Sequence, residues 1–221
     1  HSRLDAPLTQ ALKDLAQGLG ITEFSLLQSC FGAFVARWSG RDHAVIGTPV
    51  SGRTDPSFDQ VIGLFVNTLP IRTTVSPGLS LRDFLLHSAQ DLRQDLAHQD
   101  LPLDVMITDV IDSRDPAYPP LIQIFFAMQD PGSDQLTLPG CSAQPRSLDR
   151  HSVNFELELQ VASDGDGYDF HWNYAGDLFD DQTIAQLADS FAAFLTQAAH
   201  RPDAPLAQLS LLSPEAAARI A

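Results

Sequence analysis

Cysteine, tryptophan, methionine and positive charge are all scarce in these 221 residues, and each shortage narrows what the chain can do. The two cysteines, Cys30 and Cys141, form no CxxC pair and stand at no metal-ligand spacing, so neither zinc binding nor a redox couple is expected. Thirteen basic residues against 28 acidic ones give a net charge of -15, which opposes any partner held by Lys and Arg contacts. Nucleic acid and anionic membranes are therefore excluded as expected partners. Long hydrophobic runs are missing too: the apolar run Leu121 to Met128 is broken by Gln123 and is far too short to cross a bilayer. No secretory leader follows His1-Ser2-Arg3, so His1-Ser2 reads as an appended remnant and a cytoplasmic location is expected.

What is abundant is apolar surface, 44% of residues, enough for a substantial core. Val61 to Arg72 carries a continuous apolar centre, Leu64 to Ile71, bracketed by Gly63 and Pro70, and it predicts a strand buried on both faces in the middle of the fold. Asn67 and Thr68 lie inside that run, where an amide and a hydroxyl need a partner. Backbone is the commoner partner and a bound ligand the rarer one.

Leu8, Leu12, Leu15 and Leu19 predict a first helix from about Pro7 to Leu19, and Thr22 caps a second with Phe24, Leu27, Phe31, Phe34 and Trp38 on one face. Ala44 to Gly47 reads as a short buried strand, followed by a turn in which Arg53 more often anchors a loop than a substrate. Ser80 with Asp83 resembles a capping box for a third helix ending near Ala97. After His98, Asp100 is expected to cap a short helix with Pro102 in its first turn, and His98 itself suits a helix C-terminus. A second strand buried on both faces is expected over Leu121 to Met128.

The residues from Asp130 to Arg150 read as a long loop. Beyond them, Val153, Phe155, Leu157, Leu159 and Val161 alternate with polar residues, as do Tyr168, Phe170, Trp172 and Tyr174 across a turn, which predicts a β-hairpin with His171 opposite Glu158 or Gln160. Its polar face is either solvated or the wall of a groove. Asp180 or Asp181 caps a last helix, and from Asp203 the chain reads as a tail that packs along something, or as a linker. Residues 4–202 are thus expected to form one lobe and residues 203–221 a tail towards a following domain.

Several of these stretches, taken in order, resemble the condensation domains of nonribosomal peptide synthetases. Ile62-Gly63-Leu64-Phe65-Val66-Asn67-Thr68-Leu69 with Arg72 is similar to the family's Gly-Phe-Phe-Val-Asn-Thr strand, and His98-Gln99-Asp100-Leu101-Pro102-Leu103-Asp104 to its His-Gln-Asp-x-Pro-Phe-Glu loop. Arg114-Asp115-Pro116 with Tyr118 to Phe126 is similar to the Arg-Asp strand, Trp172 to Phe179 to the stretch before the last helix, and Leu209 to Glu215 to the linker ahead of an adenylation domain. The resemblance implies an α/β fold: a single chloramphenicol-acetyltransferase-like lobe, its mixed sheet covered by helices chiefly on one side, as one half of an acyltransferase-like pair. It also implies partners, namely carrier domains bearing substrate on a phosphopantetheine arm and neighbouring synthetase domains, with no cofactor or metal bound directly.

The family's His-His-x-x-x-Asp-Gly motif, which belongs to the other lobe, has no counterpart among the seven histidines at positions 1, 43, 87, 98, 151, 171 and 200. Ordinary peptide-bond formation by this chain alone is therefore not expected. Three readings follow from the resemblance. The chain is a truncated lobe that docks carrier-tethered intermediates, an enzyme that dehydrates or eliminates on a tethered residue, or the excised half of a normal domain. For the second, His151 and Glu156 are the candidate catalytic pair, with Asn154 beside them, because Asn154-Phe155-Glu156-Leu157 departs from the family's Phe-Asp-Leu-like sequence. Asn67, His98 and Asn154 are the candidate substrate-binding residues. An apolar seam open to self-association is expected wherever the lobe's inner face is bare.

Overall fold

A computed structural model describes residues 1–111, 118–129, 140–141, 153–163, 165–212 and 217. The elements in order are β1 (Ser2–Leu4), α1 (Ala6–Leu19), α2 (Glu23–Trp38), β2 (His43–Val50), β3 (Asn67–Thr74), α3 (Leu81–Leu96), α4 (Leu103–Val110), β4 (Ile124–Gln129), β5 (Leu157–Ser163), β6 (Tyr168–Tyr174) and α5 (Asp181–His200), with short 3-10 turns at Pro56–Phe58 and Leu206–Gln208. Side chains start the long helices, at Thr22, Ser80 and Asp180 as the sequence predicts and at Asp5 in addition. Asp5, Thr22, Ser80 and Asp180 each accept a hydrogen bond from the backbone N–H three residues on, at 3.0, 3.0, 3.1 and 2.6 Å, which satisfies a donor that has no partner within the helix. Gly20 ends α1 at φ 66, a left-handed conformation that glycine adopts without strain.

The six strands form one mixed sheet in the order β1-β6-β5-β4-β2-β3. Neighbours β2 and β4, and β4 and β5, run parallel; the other pairs are antiparallel. Strand alternation sends Leu157, Leu159 and Val161 of β5 and Tyr168, Phe170 and Trp172 of β6 to one face, where all six are buried beneath α1, α2 and α5. Phe31 of α2 anchors that layer, its ring 5.8 Å from Phe126, 6.1 Å from Trp172 and 5.5 Å from Phe191. Helix α2 presses so close to β3 that a Cβ on Gly32 would meet Thr73 Oγ1 at 2.3 Å, so only glycine fits there. Trp38, assigned by its spacing to the same stripe, is instead 42% exposed at the end of α2.

Within the hairpin, His171 pairs with Gln160 and Glu158 with Asn173, in the predicted register. Regular β5 pairing starts only at Leu157, and just before it Phe155 stacks on Phe125 with ring centroids 4.4 Å apart and planes 9° apart.

Four expectations need correction. The stretch read as a central strand buried on both faces is neither: β3 begins at Asn67, lies at the sheet's edge and buries only alternate residues, Leu69, Ile71 and Thr73. Val61, Ile62, Leu64 and Val66 precede it outside any strand and are exposed, Ile62 at 102% and Leu64 at 92%. Pro70, which has no N–H to give a ladder, is at home on an edge strand. Second, β4 does sit mid-sheet, but it starts at Ile124, after Leu121 at φ 68, and Ile124 and Met128 are only partly buried. Third, Ser2 is packed into the fold, since β1 pairs with β6 and Ser2 Oγ accepts the Trp172 indole N–H at 3.1 Å.

Fourth, the segment after Pro202 continues the fold. Leu206 and Leu209 are fully buried, Ser80 and Pro205 form an antiparallel bridge, and Leu206 N–H donates to Leu79 O at 2.9 Å. Arg82 Nε donates to Asp203 Oδ1 at 2.6 Å. The Gln197 side chain grips the Ser210 backbone twice, donating from Nε2 to its carbonyl and accepting its N–H at Oε1, both at 2.9 Å. A lobe boundary at residue 202 therefore falls short of the last packed residues.

Candidate functional site

Asn67 is the first residue of β3, opposite Val50, and its half-buried side chain points into the corner between the edge strand and the turn after α3. Its Nδ2 donates to Gln99 O at 3.0 Å and to Leu101 O at 2.8 Å, and its Oδ1 accepts Leu103 N–H at 3.3 Å. That last bond does the work expected of Asp100. Pro102 occupies the N-cap of α4 with no side chain to offer, and an amide from another element serves the first turn instead. Asn67 thus has backbone for a partner, the commoner of the two alternatives. Thr68, its neighbour, is half-buried and pairs with Pro49.

Beside Asn67 lies a cavity of about 250 Å³ lined by Gly52, Phe65, Val66, Gln99, Asp100 and Pro102. Its wall is fixed by Arg53, whose guanidinium donates to Phe58 O and, at 2.9 Å, to Val61 O, while its carbon lies 4.3 Å from the Phe65 ring centroid. Loop anchoring, the commoner role for such an arginine, is therefore what Arg53 does. Gly52 makes the turn possible at φ 63, and a Cβ there would stand 1.9 Å from Phe65 O. The outcome is a rigid loop whose apolar side chains Ile62, Leu64 and Val66 face solvent. Leu101 and Val105, at the start of α4, add exposed apolar surface at 44% and 41%.

His98 closes the turn after α3, exposed, its N–H donating to Asp95 O at 3.0 Å; it does not line the Asn67 cavity. Burial pushes the Asp95 carboxyl up, Asp91 adds to this, and His98 pulls it partly back. The turn therefore holds a small charge cluster rather than an isolated base.

Asn154 and Glu156 lie elsewhere. Glu156 stands just before β5, its N–H donating to Gln123 O at 2.9 Å and its carbonyl accepting Ala175 N–H at 3.0 Å, with its side chain half-buried. Asn154 is exposed, and His151 lies outside the described residues. Register places them far from Asn67: Leu157 aligns with Ile124, Ile124 with Ile46 and Ile46 with Ile71, whereas Asn67 aligns with Val50 at the other end of the strands. In strand register Asn67 and Glu156 lie towards opposite ends of the sheet. The polar face of the β5–β6 hairpin is hydrogen-bonded along itself, Gln160 Nε2 donating to Glu158 Oε1 at 2.7 Å, and His171 on it is exposed. No cluster able to hold a metal ion occurs among the described residues.

A six-stranded mixed sheet with its helices layered on one face is the architecture of a single chloramphenicol-acetyltransferase-like lobe, and the solved structures that match it bear this out. The model of the condensation domain family matches residues 1–221, and the chain belongs to that family. It is 36% identical over 213 residues to phosphinothricin tripeptide synthetase PhsC of Streptomyces viridochromogenes, covering 95% of this chain and 19% of that one. It is 31% identical over 210 residues to surfactin synthase subunit 1 of Bacillus subtilis, covering 95% and 6%. Among solved structures it superposes on holo-AB3403, a four-domain nonribosomal peptide synthetase bound to AMP and glycine, with TM-score 0.89 at 24% identity over 96% of this chain and 17% of that one. The X-domain from teicoplanin biosynthesis gives TM-score 0.84 at 24% identity, covering 95% and 48%. The chain thus spans less than a fifth of these curated relatives and about half of the X-domain chain. It is condensation-domain sequence of the nonribosomal peptide synthetase type.

Proposed function

We propose that this chain is one lobe of a condensation domain, that it docks carrier-tethered aminoacyl or peptidyl intermediates in natural-product assembly, and that it forms no peptide bond by itself. The observation that carries this reading is the apolar ridge of Ile62, Leu64 and Val66, continued by Leu101 and Val105, held outside the core by Arg53 and Asn67. Apolar side chains presented by a preorganised loop are suited to a protein surface, since the ordering cost of binding has already been met. Superposition on about half of the X-domain chain supports the lobe assignment, and the lack of a His-His-x-x-x-Asp-Gly pattern in these 221 residues supports the lack of amide chemistry by them alone. The phosphopantetheine arm belongs to the carrier.

The test is a nuclear magnetic resonance titration of the labelled chain with an aminoacyl-loaded carrier domain, paired with mass spectrometry of the carrier. Shifts concentrated in residues 53–66 and α4 with no change in carrier mass are expected. A new amide or a dehydrated residue on the carrier, or no shifts at saturating carrier, would overturn the proposal. Alone in solution, these 221 residues are expected to self-associate through the ridge, which sedimentation reads directly.

A further inference from the structure

The apolar ridge stands in an acidic surround. Residues 51–66 and 99–110, which carry it, hold five aspartates, Asp55, Asp59, Asp100, Asp104 and Asp109, against a single basic residue, Arg53, which leaves the patch at -4. All five are exposed. Asp59 comes two residues before Val61, and Asp100 lines the same cavity as Val66. Val105 and Asp109 are four residues apart in α4, a spacing that stacks them on one side of the helix.

Elsewhere in the chain carboxylates find cations: Asp169 meets Arg3, Asp42 meets His43 and Asp203 meets Arg82. Among the described residues, none of the five aspartates around the ridge takes part in an ion pair. Asp55 caps the short turn at Pro56 by accepting Ser57 N–H at 2.8 Å, a bond that leaves its charge in place. Arg53, the one cation, directs its guanidinium at the Phe58 and Val61 carbonyls instead. A group of aspartates on its own belongs to water. Beside bare hydrocarbon it becomes a condition on the partner. Any surface that covers Ile62, Leu64 and Val66 also strips water from the carboxylates around them, and only cations placed opposite offset that loss.

We propose that the ridge's partner presents an apolar patch rimmed by lysine and arginine, so that docking joins hydrocarbon at the centre to ion pairs at the edge. This rests on the ridge being the carrier-docking surface, and it assigns the basic rim to the carrier's docking face. A second copy of the chain is the weaker occupant, because two acidic rims then meet and repel. Opposite charges at the edge act chiefly on the rate of encounter, an effect that salt screens.

The test is to titrate the labelled chain with an aminoacyl-loaded carrier domain at about 0.03 M and about 0.5 M sodium chloride, reading affinity from the ridge resonances. Binding at least about tenfold weaker at the higher salt is expected. Asp100→Asn combined with Asp109→Asn removes two charges from exposed positions; it is expected to weaken binding about three- to tenfold at low salt and to match the parent chain at high salt. Ile62→Ser, which trims the ridge and alters no charge, is expected to weaken binding at both. Self-association of the chain alone, followed by sedimentation, is expected to run the other way and strengthen as salt rises. Ridge binding that salt leaves unmoved or tightens, full affinity in the double variant at low salt, or self-association that weakens with salt would each overturn the basic rim while docking stands. No ridge shifts at either salt, or unchanged affinity in Ile62→Ser, would overturn docking itself and the rim with it.

Discussion

Replacing Asn67 by alanine leaves the Gln99 and Leu101 carbonyls and the Leu103 N–H without their side-chain partner, so a loss of about 2 kcal/mol is expected in urea unfolding. Asn67→Asp should do no better, since a carboxylate has no hydrogens to give the two carbonyls. If the amide chiefly met a substrate, stability would be indifferent to both changes. The sequence marked Asn67 as a buried polar group in need of a partner, and it identified Arg53 as a loop anchor. It could not place the partners of either, because those of Asn67 arrive from the far side of α3 and only folding brings them in. Asp100 does not take its expected role for the same reason: local sequence points to a cap from the neighbouring chain, and the acceptor comes from another element. Gly52→Ala is expected to cost more than 1 kcal/mol, since it sets a positive φ and a Cβ contact with backbone against the turn at once.

Among the elements, β3 and the loop before it separate two kinds of hydrophobic residue that look identical in the sequence. Leu69→Ala, on the buried face of β3, is expected to cost about 2–5 kcal/mol, whereas Ile62→Glu and Leu64→Glu should move the unfolding midpoint by less than about 0.5 kcal/mol and reduce self-association seen by sedimentation. The helices and the hairpin were legible because their period and their caps are local signals, and His171 lands opposite Gln160 as pairing of the apolar sets requires. The edge strand was not, since an unbroken apolar run carries no period. Pro70 was the cue to the edge that went unread. The tail was legible only in part: alternating leucines suggested packing, yet nothing in residues 203–210 announces that Gln197 and Arg82 will hold them.

For the molecule as a whole, acid is the sensitive direction. Hydrogen bonding to Arg82 keeps the Asp203 carboxyl below its ordinary value, as the Thr183 N–H does for Asp180. A carboxyl depressed by folding stabilises above its unfolded pKa, and that contribution fades as pH falls through the folded value, below about pH 4. The melting-temperature difference between the parent chain and Asp203→Asn is therefore expected to be flat near neutrality and to shrink below about pH 4. The fold class was readable at this scale, since the order of motifs fixes a one-sided lobe. The split of the candidate site was not: Asn67 and Glu156 are set at opposite ends of the sheet by parallel pairing through β4, a long-range register no local pattern encodes. The anchored tail has a mechanical consequence as well. Tension applied beyond residue 212 cannot simply peel the chain away, because it must first break the two Gln197 bonds, draw Leu209 and Leu206 from the core and unzip Pro205 from Ser80. Any domain tethered there pulls on α3 and α5 together, and the lobe moves with its load as one lever arm.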